Sequence, residues 1–92
     1  MEFEHNKFGK CVLKEITQKM LEDFHRDMKG KEQMPLSVWR GDSVRAVVKQ
    51  EIMIEPKWTL EDVDNAKPGQ IVWLADCIAK MFSEAMNLDP LS

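Results

Sequence analysis

Hydrophobic positions are densest between Pro68 and Leu88, PGQIVWLADCIAKMFSEAMNL. Ile71, Leu74, Ala75, Ile78, Met81, Phe82 and Ala85 recur there at the three- and four-residue spacing of one helix face. Val72, Trp73, Cys77, Ala79 and Met86 widen that face, and Asp76, Lys80, Ser83 and Glu84 leave only a narrow polar edge. A surface helix ordinarily carries an apolar arc a little over about 100° wide. This broader arc predicts a helix at the centre of the domain or beneath a second chain. Pro68 suits the first turn, where its missing N–H costs nothing, and Asn87 and Pro90 supply a stop.

The earlier chain reads as shorter elements that need this helix to pack on. Glu2–Asn6 and Lys10–Glu15 alternate as half-buried strands do, with Gly9 placed for a positive-φ turn, so a short N-terminal β-ribbon is expected. Two strands alone are marginal in water, and the ribbon must lie against helices. Thr17 caps the next helix, stapled by Ile16 and Leu21, with Met20, Leu21, Phe24 and Met28 inward and Gly30 as its left-handed end. Lys29–Pro35 is a polar loop, expected to be the most mobile segment. Leu36–Trp39 forms a short apolar patch, after which Asp42 is placed to cap a helix with Val44, Val47, Val48 and Ile52 inward. Glu51 is placed to end it, and Glu55-Pro56 breaks any continuation. Thr59 then caps a short helix, with Asp62 at its third position and Trp58 stapled to Val63. The expected fold is a mainly α, small helical domain of three to four helices with a short N-terminal β-ribbon, an α+β arrangement also being open.

Composition narrows the class. Ninety-two residues, read as one domain over 1–92, bury roughly 60–65% of their unfolded surface, so the core is thin. Hydrophobic residues make up 43% and charged residues 32%, values of a globular chain rather than a disordered one. Sixteen acidic against 13 basic residues give a net charge of −3, which provides no electrostatic footprint for a phosphate backbone. MEFEHNKFGK has neither the basic start nor the apolar run of a secretory signal, and no stretch approaches the roughly 18–20 apolar residues of a membrane span. Cys11 and Cys77 sit far apart within apolar patterns, as reduced, buried thiols do. These features together predict a cytoplasmic protein.

Catalytic and cofactor signatures are not found. His5, Cys11, His25 and Cys77 lack the ligand spacing of a zinc site, and the four glycines are never grouped into a phosphate-cradling loop. Glu22-Asp23 and Glu61-Asp62 fall near helix starts, where dipole compensation explains them. No enzyme activity, cofactor or metal is expected. Arg40-Gly41-Asp42 reads as a glycine turn and an aspartate cap rather than an adhesion motif. Helices at 43–52 and 59–65 could form a helix-turn-helix, but LEDVDNA is acidic where a recognition helix must approach phosphates.

What is left to explain is the apolar load. Three tryptophans and seven methionines are many for a thin core, and adaptable Met and Trp surfaces favour partner binding. Trp39, Trp58, Trp73 and Met81 are the expected partner-binding residues, on an exposed apolar surface that also favours homo-oligomers.

The segment RGDSVRAVVKQEIMIEPKWTLEDVDNAKPGQIVWLADCIAKMFSEAM, about half the chain, joins a Val-Arg-Ala helix, a Glu-Pro break, a Thr-x-x-Asp-Val helix, a Lys-Pro turn and a last apolar helix. That order resembles small proteins of the tail assembly chaperone-like group of tailed phages. The resemblance implies a cytoplasmic assembly factor (host cytoplasm, if phage-encoded) that shields a protein client, the tape-measure or tail tube protein, and that self-associates. A frameshifted longer product is known in the group. The competing expectations are a small regulator binding a host or phage protein and a helix-turn-helix DNA-binding regulator.

Overall fold

The computed structural model describes residues 1–86. Its elements run β1 (Glu2–His5), β2 (Gly9–Leu13), α1 (Gln18–Met28), α2 (Leu36–Lys49), β3 (Met53–Glu55), α3 (Leu60–Asn65) and α4 (Pro68–Ala85). The expected mainly helical domain with an N-terminal ribbon is what the chain forms. The ribbon is, however, extended by a third strand, giving an antiparallel sheet in the order β1-β2-β3.

In the ribbon, Phe3 pairs with Cys11 and His5 with Gly9, and Gly9 takes the positive φ of 89° that the turn requires. Strand alternation turns Cys11 and Leu13 of β2 fully into the core. β3 joins the other edge of β2, with Leu13 opposite Met53 and a register irregularity at Val12/Leu13. Lys14 N–H donates to Ile52 O at 2.9 Å and holds the incoming chain to the sheet.

The two threonine caps form at the expected positions. Thr17 Oγ1 accepts from Met20 N–H at 3.3 Å, and the Met20 sulfur accepts from Thr17 N–H at 3.4 Å, filling the place of the usual Glu or Gln. At α3, Thr59 Oγ1 accepts from Asp62 N–H at 3.3 Å while Asp62 Oδ2 accepts from Thr59 N–H at 2.8 Å. Gly30, φ 82°, turns the chain out of α1 into the loop.

The middle helix differs from the sequence reading. Leu36–Trp39 is its first turn, and α2 runs through Arg40-Gly41-Asp42 without a break, so Asp42 is not a cap. Pro35 starts the helix instead, its carbonyl accepting from Val38 N–H and Trp39 N–H, both at 3.0 Å. A helix-interior glycine costs about 1 kcal/mol relative to alanine, and Gly41 is tolerated because it leaves room for a side chain. A Cβ there would meet Arg45 Nη1 at 3.1 Å. The helix ends in a left-handed cap: Glu51 takes φ 58°, its N–H bonds to Val48 O, and Ile52 N–H bonds to Val47 O, each at 3.0 Å. Ile52, expected inside the helix, lies just beyond it and is still fully buried.

α4 is central, packing on α2 and on β2. Leu74, Ala75, Cys77, Ile78, Met81 and Phe82 are buried. Ile71 is half-buried and Ala85 exposed, so the inward arc is narrower at both ends than the pattern suggests. Met86 caps the helix, and the expected stop at Asn87 and Pro90 lies outside the described residues. Every element contributes to one apolar core, from Phe3 of β1 to Phe82 of α4. Among the described residues, no helix is long and apolar enough to cross a membrane.

Candidate functional site

The four residues expected to bind a partner do not converge. Trp39, on α2, is half-buried and lies across the seam where α1, α2 and α4 meet. Trp58 precedes α3, half-buried against the core, and its backbone N–H donates to Pro56 O at 3.0 Å. Trp73, on α4, belongs to a third neighbourhood at the ribbon tip. Its ring centroid is 5.3 Å from His5 and 6.1 Å from Phe8, and those two rings stack at 4.7 Å. His5 is fixed there because its Nδ1 accepts the backbone N–H groups of Lys7 (3.0 Å) and Phe8 (3.3 Å).

Met81 needs a correction. It was expected on the exposed apolar surface, but only 3% of it is accessible. Its position on α4 shares a face with Leu74, Ile78 and Phe82, which turns it inward with them. Its flexible thioether packs among them and borders a cleft of about 310 Å³ shared with Met1 and Ile16.

Part of the exposed apolar surface lies around the first turn of α2, with Met1, Ile54, Leu60 and Met86 exposed elsewhere. Leu36 is 57% exposed, Met34 48% and Val38 39%, all within six residues of sequence. Their exposure follows from position: the first turn of α2 emerges from a polar loop before the helix reaches the core at Gly41, Ser43 and Val44. Beside this turn is a cleft of about 140 Å³ lined by Trp39, Phe24, His25, Ala75, Ile78 and Ala79, with Ser43 and Phe82. Its base is built by the Phe24 and Phe82 rings, 4.4 Å apart between centroids. Ser43 brings no free polar group to it, since its Oγ donates to Arg40 O at 2.7 Å. Ala79 stands exposed at the rim. The cleft is therefore apolar and accessible, and of a size that holds a benzene-like group when lined by such side chains (cavities of roughly 150 Å³ do so).

The sequence reading noted the Leu36–Trp39 patch but not the cleft. Phe24 and Ala79 read only as members of helix faces, because no local signal tells which helices will adjoin. Leu36 and Val38 carry a usable signal: apolar residues immediately after Pro35, at the start of a helix, have no preceding turn to cover them.

The ionic groups are matched among themselves. Asp42 accepts from Lys31 Nζ at 3.0 Å and Arg45 Nη1 at 2.8 Å, and Arg45 Nη2 reaches Asp64 at 2.7 Å. This chain ties the 29–35 loop, α2 and α3 together. Burial pushes the Asp42 carboxyl up, but the Lys31 and Arg45 hydrogen bonds outweigh it and hold the group below its ordinary value. Arg45 is raised, chiefly by its hydrogen bond to Asp64. Such mutual pairing makes a brace between elements. Among the described residues, no group of three or more His, Cys, Asp or Glu side chains is arranged to hold a metal ion.

The helix-turn-helix expected from helices at 43–52 and 59–65 is not formed. Residues 50–59 between α2 and α3 hold the left-handed cap, β3 and the cis Glu55–Pro56 peptide, where that motif has a turn of about 3–4 residues. No family model, curated protein or solved structure matches the chain.

Proposed function

We propose that this chain is a chaperone-like interaction protein that receives an apolar side chain of a helical client in the cleft beside Trp39. The observation that carries this reading is an open, apolar cleft lined by Trp39, with exposed Leu36 three residues before Trp39 on the same helix. An amphipathic helix presents a large apolar anchor with further apolar residues at three- and four-residue spacing, and an apolar cleft of this size suits the anchor. Trp39 supplies a rigid wall of the kind that dominates binding energy at such contacts. Nothing in the mechanism requires a nucleotide: the client is released when its own assembly contacts compete for the same face.

The sequence resemblance to tail assembly chaperone-like proteins supplies the client class, a tape-measure or tail tube protein in the cytoplasm, and self-association through the same face in its absence. A regulator that binds another protein through this cleft is the second reading. It shares the cleft and differs in the client.

The test is Ala79→Arg. Ala79 is exposed, so an arginine there fills the mouth of the cleft without removing core volume, and stability should change by no more than about 0.5 kcal/mol. Binding to fragments of a co-encoded tape-measure protein, and self-association measured by sedimentation, should both fall. If both persist unchanged with the cleft blocked, the cleft is not the binding site. If Ala79→Arg abolishes self-association while tape-measure and tube fragments never bind the wild-type protein, the regulator reading replaces the chaperone reading.

A further inference from the structure

We infer that the pocket between α2, α3 and the start of α4 is a second ligand site, which takes a small organic acid with its carboxylate on Arg40 and its apolar body against Val63, Ile71 and Val72. This inference is independent of the client-binding reading.

The pocket holds about 260 Å³ and shares no lining residue with the Trp39 cleft. One wall is the face of α2 that carries Ser37, Arg40, Gly41 and Arg45, residues three, four and eight apart and so on one side of the helix. α3 brings Val63 and Asp64 to it, and the first turns of α4 bring Pro68, Ile71 and Val72.

Charge decides what the pocket can hold. Arg45 and Asp64 are already matched: Asp64 Oδ1 accepts from Arg45 Nε at 3.2 Å and from Nη2 at 2.7 Å. Arg45 Nη1 donates to Asp42, which also accepts from Lys31. The two cations and two carboxylates of that brace cancel. Arg40 stands outside it. Arg26 pairs with Asp23, and Arg45 with both aspartates, whereas Arg40 is half-buried with no ion pair among the described residues. A guanidinium partly withdrawn from water is best satisfied by a planar carboxylate, which it binds through two parallel N–H···O bonds. Ser37, three residues earlier on the same wall, adds a hydroxyl donor.

The other walls are apolar, so a bare hydrated anion would leave them uncovered. Cavities of roughly 150 Å³ hold benzene when lined by such side chains. The larger volume here leaves room for a ring or a branched chain together with its carboxylate. A single negative charge matches the one uncompensated guanidinium, and the second charge of a diacid would face Asp64. The occupant is therefore a compact monocarboxylic acid.

The experiment titrates benzoate into the isotope-labelled full chain at fixed ionic strength, following backbone amide shifts and Tm. Saturable shifts are expected at Ser37, Gly41, Ala66, Ile71 and Val72, with a Tm that rises with benzoate concentration. Benzamide has the ring without the charge, and acetate has the charge without the ring. Each should bind at least about tenfold more weakly than benzoate, as should benzoate to Arg40→Gln. Arg40→Gln breaks no ion pair and should fold as stably as the wild type. Arg40→Lys keeps the charge without the two-pronged geometry and should bind benzoate with intermediate affinity, and the contrast between benzoate and benzamide on the wild-type protein needs no variant at all. Equal binding of benzoate and benzamide, undiminished binding by Arg40→Gln, or shifts confined to Phe24, Trp39 and Ala79 would each overturn the inference. So would the absence of saturable shifts at the pocket residues.

Discussion

Truncating Leu74 and Ile78 to alanine, separately, tests whether the cleft beside Trp39 is open space. The two residues are about one turn apart on α4 and nearly equally enclosed, at 0% and 2% exposure. Each substitution removes three carbons, worth about 2.4 kcal/mol at about 0.8 kcal/mol per buried methylene. The difference lies in what surrounds them. Leu74 does not border the cleft, so its removal leaves a closed cavity and adds a cavity penalty, for a total of about 3–5 kcal/mol. Ile78 lines the cleft, so the space vacated merges with a volume already open to solvent and the penalty shrinks. Ile78→Ala should cost about 2–3 kcal/mol, near the lower bound for such truncations. A domain of this length has a total stability of about 5–14 kcal/mol, enough in most of that range for both variants to stay folded in water. Denaturant titration gives the two values directly, provided the slope against denaturant is unchanged. Equal costs, or a larger cost at Ile78, would mean that the cleft closes in solution and is no site for a client side chain. A cost below about 0.5 kcal/mol at either residue would mean this face of α4 is not core.

Two further predictions concern how the elements are joined. Glu51→Gly should stabilise the domain by about 0.5–1 kcal/mol in the same titration, because a left-handed φ costs an L-residue about 1–2 kcal/mol and glycine returns part of that as backbone entropy; a loss of stability would show that the Glu51 side chain, not its backbone, holds the turn. Asp42→Asn should destabilise the protein at pH 7, and the difference from wild type should vanish in acid. Asp42 is held below its ordinary 3.8, so its contribution is complete above that pH and is lost as pH falls through the lower folded value; a difference that persists at the lowest pH would assign the effect to packing instead.

Local chemistry was readable where a few neighbouring residues decide the backbone. Thr17, Thr59, Gly9 and Gly30 each occupy the position their side chains, or lack of one, predicted. Apolar spacing likewise placed Leu74, Ile78 and Phe82 in the core. The failures share a cause, which is that a distant segment decides the outcome. β3 spans three residues, too few for alternation to register, and it exists because β2 offers an unpaired edge. α2 does end just before Glu51, as expected, but Ile52, expected on the inner face of the helix, lies beyond its left-handed cap and is buried there. Arg40-Gly41-Asp42 looked like a break because Gly and Asp favour turns. In the folded chain Asp42 has Lys31 and Arg45 as partners, and the salt bridges make continuing the helix worthwhile. The cleft was unreadable for the same reason: α1, α2 and α4 each contribute to it, and none of their local patterns names the others.

The apolar load argued for partner binding, and the structure sorts that argument into two parts. Methionine divides: Met28, Met53 and Met81 are core, while Met1, Met34 and Met86 are exposed. Tryptophan is different, because its indole N–H must find either a partner or water. Among the described residues, no buried side-chain nitrogen or oxygen lacks a hydrogen-bond partner, and all three tryptophans are half-buried. Each ring thus lies on a seam between elements, its body covered and its edge reaching solvent. Such a placement would serve stability alone; exposed Ile54 and Leu60 lie within four residues of Trp58 in the chain. At Trp73 the exposed side is already stacked with His5 and Phe8. At Trp39 the seam borders a cleft, with exposed Leu36 three residues earlier on the same helix. Apolar side chains left at a helix start without a covering turn gain from any surface that covers them, at about 25 cal/mol per Å². That gain is available to a client helix at the first turn of α2, beside the Trp39 cleft.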